Sequence, residues 1–472
     1  MGQNSQQRRA AKQRRAARQQ RLTGAAGPRS QDPRTVTGEA HHQPQKSPGR
    51  PTADRLVMDA VLLTSPKGDP SPGFARALDA LIDLETNSEP EHRPTTAITA
   101  KLLHQITDLY EQGWQPGDLA HGVKRNGTAR GHRLIIAMIA NEARSASAAT
   151  RAPQGWLDQL DDLGAYDPIR SSVIGGHDQP INGWARAERV YVDEKLAIAL
   201  QVLHAVLRFG KIPLLADPPS RWTDSNRGSL PRPEASSAEV DAKALKLIRA
   251  LLAKAEATTF EAEAETFTAK AQEMMTRYSI DAAVLAAAHA GDGTGRISGV
   301  VSRRVHIDSP YADEKATFLA MIADVNGAKS VWTPNFGFAT VTGFPVDLQL
   351  TDLLFTSLLV QANHASAAFT SADRQLRTAS FRRAFLVSFA QRISERLRTT
   401  RRHVATVAAE QYGSSLVPIL ANRAVAVTAE FERIFPTTTK MKSRSYNSLG
   451  WYAGQEAADK ADIGHGEAIT AG

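Results

Sequence analysis

Apolar residues recur along this chain mainly at three- and four-residue intervals, the pattern of helices that each bury one stripe. Ile98, Leu102, Ile106 and Leu109 share one face of a helix that begins near Thr96, and Gly113 with Pro116 supplies its stop. A short segment at 118–124, a turn at Asn126-Gly127 and a longer helix over 129–145 follow. Leu196, Leu200, Leu203 and Leu207 line another face, with Gly210 at the C-cap and Pro213 barring continuation. Patterning is weaker at 74–84 and 156–163, and the run 166–183, rich in Gly, Pro, Asp and Ser, reads as loop. Residues 51–212 are therefore expected to form a helical region. Prolines 213, 218, 219, 231 and 233 mark 213–237 as a Pro-rich linker.

Beyond it, Ser236 and Glu239 have capping-box spacing, and Leu245, Ile248, Leu252 and Ala255 continue as an apolar stripe. Thr258 and Glu261 restart a helix in which Phe260, Ala264, Phe267, Ala271, Met274 and Tyr278 alternate by four and three. So short a connection predicts that 238–285 folds back as a helical hairpin. A Gly-rich linker follows at 286–299. Its glycines 291, 293 and 295 alternate, but the spacing fails the dinucleotide fingerprint.

In 300–472 the period changes. A strand over 303–307, a helix over 313–325, a hairpin of 330–333 with 338–342 turning at Pro334-Asn335, and a long helix opened by Pro345 make a small α+β unit. A basic amphipathic helix comes next. Phe381, Phe385, Phe389, Ile393 and Leu397 form its continuous apolar face, and residues 374–402 hold nine arginines against one acid, Glu395. Gly450, Gly454 and Ala458 then recur every four residues, which allows close backbone contact. The expected fold is mainly α with a small α+β unit: a helical N-terminal region, a helical hairpin in the middle, and a short antiparallel sheet with helices in the C-terminal half. The low aromatic content, 6%, agrees with helices that bury modest stripes.

Charge changes the picture once it is divided along the chain. The net charge is +8, yet residues 1–50 alone hold 11 Lys/Arg against 2 Asp/Glu, leaving 46 against 47 for the other residues. This basic tail has no apolar stripe and is expected to be disordered when free. Such an arm attracts nucleic acid or another polyanion through counterion release. The absence of cysteine excludes disulfides, thiolate metal sites and cysteine nucleophiles, and fits a reducing, cytoplasmic setting. No apolar stretch is long enough to cross a membrane.

The run KALKLIRALLAKAEATTFEAEAETFTAKAQEMMTRYSI, from Lys243 to Ile280, resembles the domain of unknown function 2786 family. The resemblance rests on Leu251 to Glu256, Glu261 to Ala264 and Ala271 to Met275. It implies a second uncharacterised domain at about 300–369 and an actinobacterial or phage source, and no established chemistry. The hairpin holds Glu256, Glu261, Glu263 and Glu265; carboxylates four apart, such as Glu261 and Glu265, could share a cation or a proton, or the acids could simply complement a helix dipole.

No catalytic motif is present, and no cofactor or metal is implied. The leading expectation is a non-catalytic nucleic-acid-associated or scaffolding protein. Its contact residues would be Arg8, Arg9, Lys12, Arg14, Arg15 and Arg18 in the tail, with Arg382, Arg383, Arg392 and Arg396 in the basic helix. One alternative is a hydrolytic enzyme that pairs His306 with Asp308 or Asp347; another is a partner-binding helical adaptor. The 118–145 segment could also be a DNA-reading helix pair exposing Arg130 and Arg133.

Overall fold

Proline opens many of the helices. In a computed structural model of the chain, which describes residues 52–65, 71–165, 179–222, 235–257, 261–289, 299–439 and 446–460, a proline occupies the first helical position of α2 (Pro72–Asn87), α3 (Pro94–Glu111), α4 (Pro116–Asn126), α7 (Pro180–Ala187) and α12 (Pro345–Ala372). Its missing N–H falls where no intrahelical bond would form anyway, and its fixed φ already suits the helix. The N-terminal region adds α1 (Ala53–Leu62), α5 (Ala129–Ser145), α6 (Gln154–Asp162) and α8 (Val192–Val206).

Helix α3 runs through the middle of this region. Its expected face, Ile98, Leu102, Ile106 and Leu109, is wholly buried, and α8 lays Leu196, Leu200 and Leu203 against the same core. Leu207 departs from expectation and is 40% exposed, because α8 ends at Val206, which takes the core position instead. Part of the expected loop 166–183 is also helical: α7 starts at Pro180 and buries Ile181 and Trp184, while 166–178 lies outside the described residues. Gly113, at φ +103°, stops α3 where the chain meets the Ile212 carbonyl; an added Cβ would collide there.

The hairpin consists of α9 (Ala235–Ala257) and α10 (Glu261–His289), which pack along each other. Ile248 and Leu252 meet Ala271 and Met275, and Leu350 of α12 completes that cluster. The far half of α10 buries Ile280 against Ala408 and Leu416. The hairpin is thus built into the C-terminal half rather than standing apart from it. Phe260 and the 291–298 glycine run lie outside the described residues.

Strands β1 (Val301–His306), β2 (Lys329–Thr333) and β3 (Phe338–Gly343) form an antiparallel sheet in the order β1-β3-β2. Central β3 is buried along its whole length. Opposite Phe338 stand His306 on one side and Thr333 on the other. Helix α11 (Ala312–Val325) covers one face with Phe318, Leu319 and Ile322. Helix α13 (Ala379–Tyr412) adds Phe381, Phe385, Phe389, Ile393 and Leu397, so the expected apolar face is the core face. Helix α14 (Leu416–Ile434) precedes α15 (Ser448–Lys460), which lies directly on α13. A Cβ on Gly450 would strike the Phe381 carbonyl, and one on Gly454 the Phe385 carbonyl and the Ser388 hydroxyl. Among the described residues no helix is long and apolar enough to cross a membrane.

The N-terminal helices and the sheet meet at Phe338. Phe338 of β3 belongs to the N-terminal hydrophobic cluster, and Trp114 stacks on Phe209 at 4.6 Å while meeting Phe336 edge-on at 4.8 Å. Phe336 of the β2–β3 turn and Phe338 at the start of β3 both meet the Trp114 ring edge-on.

Candidate functional site

Where α4 crosses β1, two periodic rows of polar side chains meet. On the helix Asp118, His121 and Lys124 lie three residues apart and share a face, and on the strand and its continuation Arg304, His306 and Asp308 lie two apart and share another. The rows mesh in order: Asp118 with Arg304 and His306, His121 with His306, and Lys124 with Asp308.

Asp118 is placed by its own helix. It stands at the third position of α4, and its Oδ2 accepts from the Gln115 backbone N–H at 3.2 Å in a capping box. The same oxygen accepts from Arg304 at 2.6 Å, and Oδ1 lies 2.9 Å from His306 Nε2. Arg304 also donates to the carbonyls of Gly113 at 3.0 Å and Pro213 at 2.6 Å, so one guanidinium ties β1 to both ends of the α3–α4 corner and to the chain after α8. The side chains of Asp118 and Arg304 are 1% and 2% exposed. The imidazoles of His121 and His306 stack 4.7 Å apart, with the open face left by Gly117 within contact of the His306 ring. His121 Nε2 donates to the Gly337 carbonyl at 2.9 Å.

Electrostatics follow from burial and from these partners. Burial pushes the Asp118 carboxyl up, but Arg304 and His306 outweigh it and hold the group below its ordinary value. His121 is driven down to about 4 by burial and by the neighbouring His306. It is therefore neutral at pH 7, and its 3.9 Å approach to Asp308 is not an ion pair there. Burial raises the Asp308 carboxyl, yet Lys124, which reaches both its oxygens at 2.9 and 3.1 Å, brings it below its usual range.

A carboxylate that fixes an imidazole through one nitrogen is the orienting half of a general-base device. Among the described residues, however, no hydroxyl hydrogen-bonds to either ring, so the contact between nucleophile and base is missing. Nor does any group of three or more His, Asp or Glu among them have the arrangement to hold a metal ion. What the cluster does is fasten α4 to β1 by a buried charge pair and its capped neighbours.

The structure redistributes the residues singled out from sequence. His306 turns to Asp118, which sequence reading did not select, and Asp308 turns to Lys124. Asp347 is engaged elsewhere, accepting from Ser279 at 2.6 Å and from buried Arg423 at 2.8 Å. Arg130 pairs with Glu194, and Arg133 reaches Glu188 at 2.7 Å, so both arginines of the candidate DNA-reading pair tie α5 to the α7–α8 corner.

On α13, Arg392 pairs with Asp459 and Glu395, and Arg396 caps the end of α15 through the Ala458 and Asp459 carbonyls. Two further arginines of this helix serve α11: Arg398 bonds Asp324 at 2.8 Å and Arg401 the Val325 carbonyl. Cations at helix C-termini complement the dipole, which gives much of the arginine density a structural use. Arg382 and Arg383 are exposed, with Arg383 3.7 Å from Glu314. Arg8, Arg9, Lys12, Arg14, Arg15 and Arg18 lie outside the described residues.

Residues 243–282 match the family model described as a protein of unknown function, DUF2786, which places that domain on α9 and α10. No curated protein and no solved structure matches the chain.

Proposed function

Starting from a chain that carries this uncharacterised domain within a larger helical body, we propose that the protein is a non-catalytic, nucleic-acid-associated scaffold of the cytoplasm, with its basic N-terminal arm as the polyanion contact. The observation that carries the reading is the charge partition: residues 1–50 hold 11 Lys/Arg against 2 Asp/Glu, and the remaining 46 and 47 cancel. Phosphate contacts of this kind supply affinity without reading bases.

The use of arginine in α13 supports the same division of labour. Arg392, Arg396, Arg398 and Arg401 serve ion pairs and helix ends inside the fold, so a phosphate contact there falls to the exposed Arg382, Arg383 and Arg402, and the arm is the principal element. The hairpin at 243–282 acts in this reading as a packing module that joins α12, α13 and α14. The test is binding of a duplex DNA and a single-stranded RNA by the full chain and by a variant with Arg8, Arg9, Lys12, Arg14, Arg15 and Arg18 changed to alanine. Tight binding at low salt that the variant loses supports the proposal; equal binding by both overturns it.

A further inference from the structure

Away from the α4–β1 cluster, an open cleft of about 620 Å³ lies between the C-terminal end of α2 and the α7–α8 corner. Its lining carries Arg93, Arg186, Arg189 and Lys195 against one acid, Glu85, a formal surplus of three positive charges. The floor is built. Lys195 is buried and donates to Glu85 at 2.7 Å and to Asn182 at 2.9 Å, while Glu85 also accepts from the backbone N–H and hydroxyl of Thr95 at 2.9 and 2.6 Å. Burial pushes the Glu85 carboxyl up, but Lys195 and Thr95 more than offset it and keep the group ionised.

The rim is where the surplus charge sits. Arg186 and Arg189 are exposed, and Arg93 uses its Nε on the Ser88 carbonyl at 3.0 Å, leaving its terminal nitrogens for another partner. Glu188 and Glu194, the acids nearest in sequence to Arg189 and Lys195, face away toward Arg133 and Arg130 of α5. The ion pairs on α5 thus keep these carboxylates from neutralising the cleft. Tyr191, 66% exposed, stands at the edge beside Val190 and Val192. Planar guanidinium forks match phosphate oxygens, an exposed tyrosine ring matches a base, and the volume suits one small molecule.

We propose that this cleft binds a small ligand of the nucleoside-phosphate class, its phosphates held by Arg93, Arg186 and Arg189 and its base set against Tyr191. Isothermal titration of the full chain with adenosine diphosphate, inorganic pyrophosphate and adenosine tests it, alongside an Arg186→Ala/Arg189→Ala variant and the alanine-substituted arm. Arg186 and Arg189 are exposed, so that variant should unfold at the parent's midpoint. The expected result is diphosphate binding that the cleft variant weakens about tenfold or more and the arm variant leaves intact, with adenosine weaker still. Absence of diphosphate binding, binding unchanged in the cleft variant, or binding lost only with the arm overturns the site. Equal affinity for pyrophosphate and adenosine diphosphate overturns the nucleoside assignment. The arm can fail as a polyanion contact while the cleft binds, and the reverse, so the two proposals are separable.

Discussion

Arg304 and Asp118, 186 residues apart in sequence, meet at 2.6 Å with both side chains almost wholly out of water. Two such charges are tolerable only as a pair, because each alone would face the full desolvation penalty. Truncating either partner should therefore cost more than the pair itself contributes. Arg304→Met is expected to destabilise the chain by about 3–5 kcal/mol, and the double change Arg304→Met/Asp118→Asn by less than the sum of the single changes. Urea unfolding of the four proteins reads this directly. Additive losses would mean that the two groups are not coupled.

Acidity should act through two groups with opposite signs. The folded-state value of Glu142 is raised by burial from 4.5 to about 7, so its contribution is present below 4.5 and lost as pH rises through 7. That of His121 is lowered from 6.5 to about 4, so its contribution is present above 6.5 and lost as pH falls through 4. Between about 4.5 and 6.5 the two slopes, each at most about 1.4 kcal/mol per pH unit, oppose one another. Glu142→Gln should unmask the histidine, and its stability should fall more steeply than the parent's on acidification across that window. Parallel curves for the two proteins would refute this assignment. Below the window, Asp118 and Glu85, both held under their ordinary values, add a further loss as pH drops through their folded-state values.

Lys195 and Glu85 form another buried pair, with side chains 8% and 6% exposed. Lys195→Met strands the carboxylate and should cost about 3–5 kcal/mol, whereas Lys195→Met/Glu85→Gln should recover much of that, since the neutral amide can still accept from Thr95. Thermal unfolding of both variants checks it, and a double variant no more stable than the single would count against the pairing.

Gly454 is the tightest point of the α13–α15 contact, facing the Phe385 carbonyl and the Ser388 hydroxyl. Gly454→Ala has no room and should cost about 1–3 kcal/mol by overpacking. Gly155, which faces open space, is the control. Its alanine variant should match or exceed the parent's unfolding midpoint, as a glycine inside a helix weakens it.

These contrasts show what a sequence carries and what it does not. The faces of α3 and α13, the sheet strands and the spacing of Gly450 with Gly454 are written locally, as periods of 3.6, 2 and 4, and each reappears in the fold. The α4–β1 cluster is not local. Asp118 carries a visible capping-box position relative to Gln115, but nothing near it in sequence points to Arg304 or His306. The pairing arises only when a helix row of period three meets a strand row of period two. The same holds for α13, where arginines at 392, 396, 398 and 401 look alike in sequence and are separated in use by the ends of α11 and α15. The cleft, too, gathers Arg93 and Arg189 from segments far apart in the chain.

The claim that the arm is the polyanion contact is tested most directly by the salt dependence of binding to a duplex DNA, followed by fluorescence anisotropy. Each phosphate neutralised adds about 0.9 to the slope of log K against log salt, so removing Arg8, Arg9, Lys12, Arg14, Arg15 and Arg18 should flatten that slope by up to about five. Arg382→Ala/Arg383→Ala should flatten it by no more than about two. A parent chain that does not bind at low salt, or an arm variant with the parent's slope, would contradict the account.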